Sequence, residues 1–211
     1  MTKFKHMFRT YLFTYDRPKM LKERLQELND KGIRPIVLND GVTFPHRGKR
    51  NFWKTWHEVL QDAEKNEADI YLFMPDDFEN LDVERIKDLH EEYKAKPYVY
   101  NLINDGREKC WTGIEPKKWT DNTELIGFTD GAFFCNRQAF ERIGFYMKDP
   151  KEKHFKRGEN ISSGIGMMLT LRLNYRKVLV FRPYKSLAYH GNHESKMHPE
   201  ERKNNPLISK H

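Results

Sequence analysis

The sequence predicts an α/β fold: one domain, residues 1–211, with a mostly parallel central sheet flanked by helices. Three observations predict it. Ile70–Met74 is an unbroken apolar run, the pattern of a strand buried on both faces, and Asp76-Asp77 follows it. The first forty residues read strand, helix, strand. Short apolar runs and helical stripes then continue to alternate as far as Tyr189.

Phe8–Thr14 is a β-branched and aromatic run that ends in Tyr15-Asp16-Arg17-Pro18. Over Lys19–Lys31, Met20, Leu21, Leu25 and Leu28 recur at helical spacing, with Pro18 suited to the first turn and Gly32 to the end. Arg34–Leu38 is a second short strand closing in Asn39-Asp40-Gly41. A right-handed βαβ crossover delivers Thr14–Arg17 and Asn39–Gly41 to the edge that carries Asp76-Asp77. Ligands of open α/β sheets bind in the crevice beyond that edge, and paired carboxylates there suit a hard cation such as Mg²⁺ or Mn²⁺; a solvated Asp-Asp turn is the alternative.

Arg47, Gly48, Lys49 and Arg50 form a basic turn before a helix over Asn51–Asn66, whose Trp53, Trp56, Val59, Leu60 and Ala63 share a face. A Gly between cations at a helix start could hold a phosphate; the alternative is an ordinary surface turn. Val83–Lys94 reads as an amphipathic helix with Ile86, Leu89 and Tyr93 inward, and Tyr98–Ile103 as a strand. Asn104–Glu124 is a polar loop of about 20 residues, a length usually functional in compact domains. Its Trp111 and Trp119 could stack on a sugar or base, or form a small packed cluster. Leu125–Cys135 reads as a strand interrupted by Gly131, Arg137–Ile143 as a helix ended by Gly144, and Lys148–Asn160 as a loop. A helix over Gly164–Asn174, a strand over Lys177–Phe181 and a short extended segment through Tyr189 complete the pattern. His190, His193 and His198 then fall within nine residues.

Composition narrows the class. No apolar stretch approaches the roughly 20 residues that span a bilayer, and Met1–Arg9 leads into a strand without a signal-peptide core, so a cytoplasmic protein is expected. Cys110 and Cys135 are too few for a disulfide framework. The net charge is +7, and residues 151–211 hold 13 Lys+Arg against 5 Asp+Glu, leaving 25 against 26 in residues 1–150. That basic end suits a polyanion, whether nucleic acid, a phosphorylated substrate or an anionic membrane surface, or serves as a solubilising face.

In order, these landmarks resemble the family 2 glycosyltransferases of the GT-A, Rossmann-like fold. Phe13-Thr14-Tyr15-Asp16-Arg17-Pro18 and Pro35-Ile36-Val37-Leu38-Asn39-Asp40-Gly41 look like the nucleotide-binding entry, and Phe73-Met74-Pro75-Asp76-Asp77 falls where the family carries Asp-x-Asp. Gly131 through Gly144 is similar to the acceptor-side strand and helix, and Leu171-Arg172-Leu173 through His190 to the closing helix, strand and histidine.

The resemblance implies a nucleotide-sugar-binding half (1–103), an acceptor-side half (104–190) and a basic tail (191–211). It implies a UDP-sugar donor bordered by Thr14, Tyr15, Asp16 and Arg17, with Asp40 toward uracil and Asp76 toward the ribose or sugar. Gly48, Lys49 and Arg50 would assist at the diphosphate, and Mn²⁺ or Mg²⁺ would sit on Asp77 and His190. Pro75 replaces the first Asp of the motif, and Ser162-Ser163-Gly164-Ile165-Gly166 stands where inverting members carry an acidic pair ahead of the helix arginine, here Arg172. Asp130 or Glu159 then serves as general base, or transfer retains configuration without one.

Small glycosyltransferases that decorate hydroxymethylated pyrimidines in phage DNA set the expected acceptor, with Trp111 and Trp119 stacking and the basic end on phosphates. A cell-surface glycan or lipid-linked sugar is the alternative acceptor. Two further alternatives are a non-catalytic nucleic-acid-binding domain and a metal-dependent nuclease, the latter from Pro75-Asp76 with Glu115-Pro116-Lys117.

Overall fold

The computed structural model describes residues 6–39, 48–104, 115–129, 131–150, 156–157, 160–161 and 164–191; side chains are described throughout these except at 48–50, 156–157 and 160–161. The elements are β1 (Phe8–Thr14), α1 (Pro18–Asp30), β2 (Ile36–Asn39), α2 (Gly48–Lys65), β3 (Ile70–Pro75), β4 (Phe78–Glu79), α3 (Val83–Tyr93) and β5 (Tyr98–Asn101). They continue with β6 (Lys117–Lys118), β7 (Thr123–Ile126), β8 (Phe133–Cys135), α4 (Arg137–Ile143), β9 (Lys156–Arg157), β10 (Asn160–Ile161), α5 (Ile165–Tyr175), β11 (Leu179–Pro183) and β12 (Tyr189–His190). Among the described residues, no helix is long and apolar enough to cross a membrane.

Eight strands form one sheet in the order β2-β1-β3-β8-β5-β11-β7-β6. β1 pairs parallel with β2 and β3, and β11 with β5; β8 runs antiparallel to β3 and β5, and β7 to β11 and β6. Six strands therefore point one way, and β7 and β8 the other. The α/β class with a helix-flanked central sheet is as the sequence predicts; the sheet is mixed, with three parallel and four antiparallel neighbouring pairs among the described strands.

Alternation along the central strands explains the three layers. Tyr11, Phe13, Tyr71 and Phe73 join a core with Trp56, Leu60, Phe140, Leu169 and Leu173, under α2, α4 and α5. Leu12, Ile70, Leu72 and Met74 join Leu28, Ile86 and Leu89 on the opposite face, under α1 and α3. Both faces of β3 are thus covered, which is why its sequence shows no polar alternation. Pro75 is tolerated at its end. The Asp76 amide donates to Phe13 O of β1, so the Pro75 nitrogen faces the β8 side, where the ladder has ended at the Phe73–Phe133 pair.

Three sequence expectations need correction. Leu125–Cys135 is not one strand: β7 and β8 lie apart in the sheet, and the chain crosses between them through Gly127–Gly131, with Gly131 at φ +68°. Among the described residues, its chain neighbours apart, no atom lies within 4 Å of where a Cβ on Gly131 would sit, so the backbone angle favours glycine there. Asn104–Glu124 contains β6 and the start of β7, and Lys148–Asn160 contains β9 and the first residue of β10. Such short hairpin strands carry too few residues for a readable period.

Asn136 joins three elements. It caps α4 by accepting from the Ala139 amide at 3.2 Å, accepts from the Tyr98 amide at 3.4 Å and donates to Lys96 O at 2.8 Å, all while 5% exposed. Asn136→Ala is expected to destabilise by about 1–3 kcal/mol. Urea unfolding should show this as a lower midpoint at unchanged slope.

Candidate functional site

The connections place a crevice beyond the carboxyl ends of β1 and β3. From β1 the chain crosses through α1 to β2 on one side, then returns through α2 to β3 on the other, so the strand order reverses there. Such reversals are where open α/β sheets bind ligands. The turn after β1 carries Asp16 in the left-handed region (φ +48°), its amide donating to Asn39 Oδ1 at 3.2 Å, and Arg17 occupies the N-cap position of α1. The turn after β3 carries Asp76 and Asp77, 0% and 3% exposed.

These turns meet through side chains. Thr14 Oγ1 donates to Asp76 Oδ2 at 2.5 Å, Arg17 Nη2 donates to Asp76 Oδ1, and Arg17 Nη1 donates to Asp77 Oδ2 at 3.2 Å. Burial pushes the Asp76 carboxyl above the usual carboxylate range, opposed by its bonds to Thr14 and Arg17. Behind them Arg24, 5% exposed, approaches Asp76 O through Nε at 3.4 Å and pairs with Glu27 and with Glu79 at 3.8 Å. Burial lowers its pKa against the pull of the surrounding carboxylates. Sequence reasoning missed Arg24. Its position on the stripe of Met20, Leu21, Leu25 and Leu28 was the available signal, since a charge on an inward helix face needs partners.

His190 reaches the same place through a long-range closure. β12 pairs with β4 (His190 with Phe78), and the Gly191 amide donates to Asp77 O at 2.6 Å. The imidazole lies edge-on to Phe78, with Nε2 3.7 Å from Asp77 Oδ2. Oxygen and nitrogen donors bonded to one cation at about 2.0–2.2 Å lie some 3–3.7 Å apart across right to wide angles, so this pair fits a shared ion. The carboxylates still outnumber their cations: Asp76, Asp77, Glu27 and Glu79 face Arg17, Arg24 and Lys31, the last 2.8 Å from Glu27, a formal excess of one negative charge (4 − 3).

The structure thus brings together Thr14, Asp16, Arg17, Asp76, Asp77 and His190. Tyr15 sits in the same turn. Thr14 is 4% exposed and its hydroxyl is committed to Asp76, so it positions that carboxylate and does not border a ligand. Asp40, Trp111, Asp130, Glu159, His193 and the tail beyond Gly191 lie outside the described residues, as do the side chains of Gly48, Lys49 and Arg50, whose backbone begins α2.

Trp119 is not beside the carboxylates. It stands in the β6–β7 turn at the same edge, five strands from β3, its ring 5.5 Å from Phe181 and 47% exposed. Glu115 and Lys117 are at that far end too, so the pairing of Pro75-Asp76 with Glu-x-Lys on a neighbouring strand does not form. Arg172 donates to Tyr146 O at 2.5 Å and to Gly144 O at 2.9 Å, and stacks on the Tyr146 ring; it ties α5 to the end of α4.

Gly131 and Ala132 enter β8 from the edge where β3 ends, with Ala132 O accepting from the Leu102 amide. Just before them a buried network fixes Thr129. Its hydroxyl donates to Asn101 Oδ1 at 2.8 Å, its amide to Thr170 Oγ1 at 3.1 Å, and Asn101 Nδ2 donates to Phe128 O at 3.0 Å.

No protein-family model matches the chain, and no curated protein matches it in sequence. Among solved structures it is similar to CMP:2-keto-3-deoxy-manno-octonic acid synthetase complexed with CTP, at 13% identity and a TM-score of 0.42, over 83% of this chain and 88% of that one.

Proposed function

We propose that the chain is a metal-dependent glycosyltransferase that moves a sugar from a nucleotide-sugar, a UDP-sugar, to an acceptor hydroxyl. The observation that carries this reading is the meeting of Arg17, Asp76, Asp77 and His190 in the crevice where the strand order reverses. Asp77 and His190 hold the divalent ion, Mn²⁺ or Mg²⁺, which when bound neutralises charge developing on the departing diphosphate. Asp76, fully buried with its oxygens bonded to Thr14 and Arg17, acts on the donor through the guanidinium it holds at the crevice. The C1–O bond to the diphosphate breaks and a C1–O bond to the acceptor forms, with the acceptor proton passing to Asp130.

The acceptor of this reading is a 5-hydroxymethylpyrimidine in DNA. Tyr184 after β11 and Trp119 after β6, 42% and 47% exposed, lie on the same sheet edge about three and five strand spacings, roughly 14 and 24 Å, from β3, which suits an extended acceptor. The positive excess of residues 151–211 suits its phosphates.

The test of the donor site is thermal unfolding with UDP, with and without Mn²⁺. At one hundred times the dissociation constant the expected stabilisation is about 2.7 kcal/mol, present only with metal and lost in Asp77→Ala. Silence with UDP at every metal concentration would reject the donor site. The acceptor is tested separately by UDP release, which hydroxymethylated DNA should stimulate; release indifferent to that DNA would move the acceptor to a glycan or lipid-linked sugar.

A further inference from the structure

A second cluster of donors lies at the other edge of the sheet, where β1, β3 and β5 begin. Each of His6, His90 and Glu91 offers a donor atom within 4.8 Å of the others. His6 precedes β1, while His90 and Glu91 lie in the last turn of α3, 84 and 85 positions further along the chain (90 − 6 and 91 − 6). The two imidazoles meet edge to face with centroids 5.2 Å apart, and His6 Nε2 is 3.5 Å from Glu91 Oε1. The His6 side chain is 9% exposed and His90 5%. The opposite edge carries Asp77 and His190, so the two sets of donors are separate.

We propose that His6, His90 and Glu91 form a binding site for a zinc-type divalent transition metal, tying the segment before β1 to the end of α3. Three features support it beyond proximity. His90 Nδ1 is bonded to Tyr98 Oη at 2.9 Å inside the core. With the Tyr98 oxygen accepting, the tautomer is fixed and Nε2 is left to coordinate, the arrangement by which metal-bound histidines are held. The separation of His6 Nε2 and Glu91 Oε1 is already close to the ~3.3 Å edge of a tetrahedron with bonds of about 2.0–2.1 Å. The carbonyl end of α3 also favours a cation there.

Lys94 holds Glu91 at 2.7 Å, and Glu91 is exposed enough to turn from it to the ion. A water completes the fourth position.

The experiment is calorimetric titration of the full chain with ZnCl₂, paired with thermal unfolding. The wild type should bind zinc at this site and melt higher with it. His6→Ala and Glu91→Gln, both changes on the periphery of the fold, should each bind at least tenfold more weakly and lose the zinc-dependent rise. Tyr98→Phe, which keeps the core ring, should weaken binding about 10–100-fold. Asp77→Asn and His190→Gln should leave this event intact, which separates it from the site proposed for sugar transfer. Zinc affinity in His6→Ala equal to wild type, loss of the event in Asp77→Asn, or no zinc binding at all would each overturn the proposal.

Discussion

Trp56→Ala is expected to lower stability by about 3–5 kcal/mol, the cost of emptying a large aromatic site in a packed core. For a chain of this length that is a fall in melting temperature of roughly 6–20 °C. The magnitude follows from position. Trp56 is 1% exposed and stacks on Phe13 of β1, Phe73 of β3 and Phe133 of β8, with centroids at 5.1, 5.2 and 5.9 Å. It is therefore the surface on which α2 lies across the three strands leading to the crevice, and a void there loosens strands as well as the helix.

Its indole Nε1 is buried with no hydrogen-bond partner among the described residues. Trp56→Phe removes that unsatisfied donor while keeping a ring, so it should cost well under half as much as the alanine change. A phenylalanine variant as damaged as the alanine one would show that the indole nitrogen has a partner. Both are read from urea midpoints.

The contrast between Trp56 and the site shows what the sequence could disclose. Local signals stated much of the architecture: the apolar run Ile70–Met74, Pro18 and Gly32 bounding α1, and the stripe of Trp56, Leu60 and Ala63 on α2. Each depends on residues within a few turns of one another. Leu125–Cys135 misled because apolar residues continue through the bend at Gly127–Gly131, so composition stayed strand-like where the backbone left one strand for another.

The site was legible only in part. The carboxylates declared themselves by following a buried strand, but the approach of His190 to Asp77 depends on two-residue strands that pair β12 with β4 across the fold. No local period encodes such a pairing; resemblance, not spacing, pointed to His190. Arg24 and His90 were hidden differently. Each is a polar residue on an inward helical face, beside Leu21 and Leu28 or Ile86 and Leu89, where a pattern reader counts the apolar neighbours and passes over the exception.

Arg17→Met is expected to destabilise the fold by about 3–5 kcal/mol near pH 8, because it removes the guanidinium that bonds both of the neighbouring buried carboxylates, Asp76 and Asp77. Thr14 would still donate to Asp76, but a hydroxyl cannot offset the repulsion between Asp76 and Asp77, and the Arg24 guanidinium is paired with Glu27 and Glu79. Burial already holds the Asp76 carboxyl above its ordinary range with Arg17 present. Without Arg17, whose charge and hydrogen bond hold it down, the Asp76 carboxyl shifts further upward in the folded state. A carboxyl whose folded pKa exceeds the unfolded value makes the folded state bind more protons, so stability falls as pH rises through the folded pKa. The deficit against wild type should therefore be small near pH 4 and largest near pH 8, as urea midpoints at the two values would show.

The same variant tests the metal. A divalent ion on Asp77 and His190 supplies the positive charge that methionine lacks, so Mn²⁺ at pH 8 should recover more stability in Arg17→Met than it adds to wild type. Adding Asp77→Asn should abolish that recovery. If Mn²⁺ restored nothing while the pH dependence appeared as expected, the carboxylate pair would be a structural ion-pair partner for Arg17 and not a metal site.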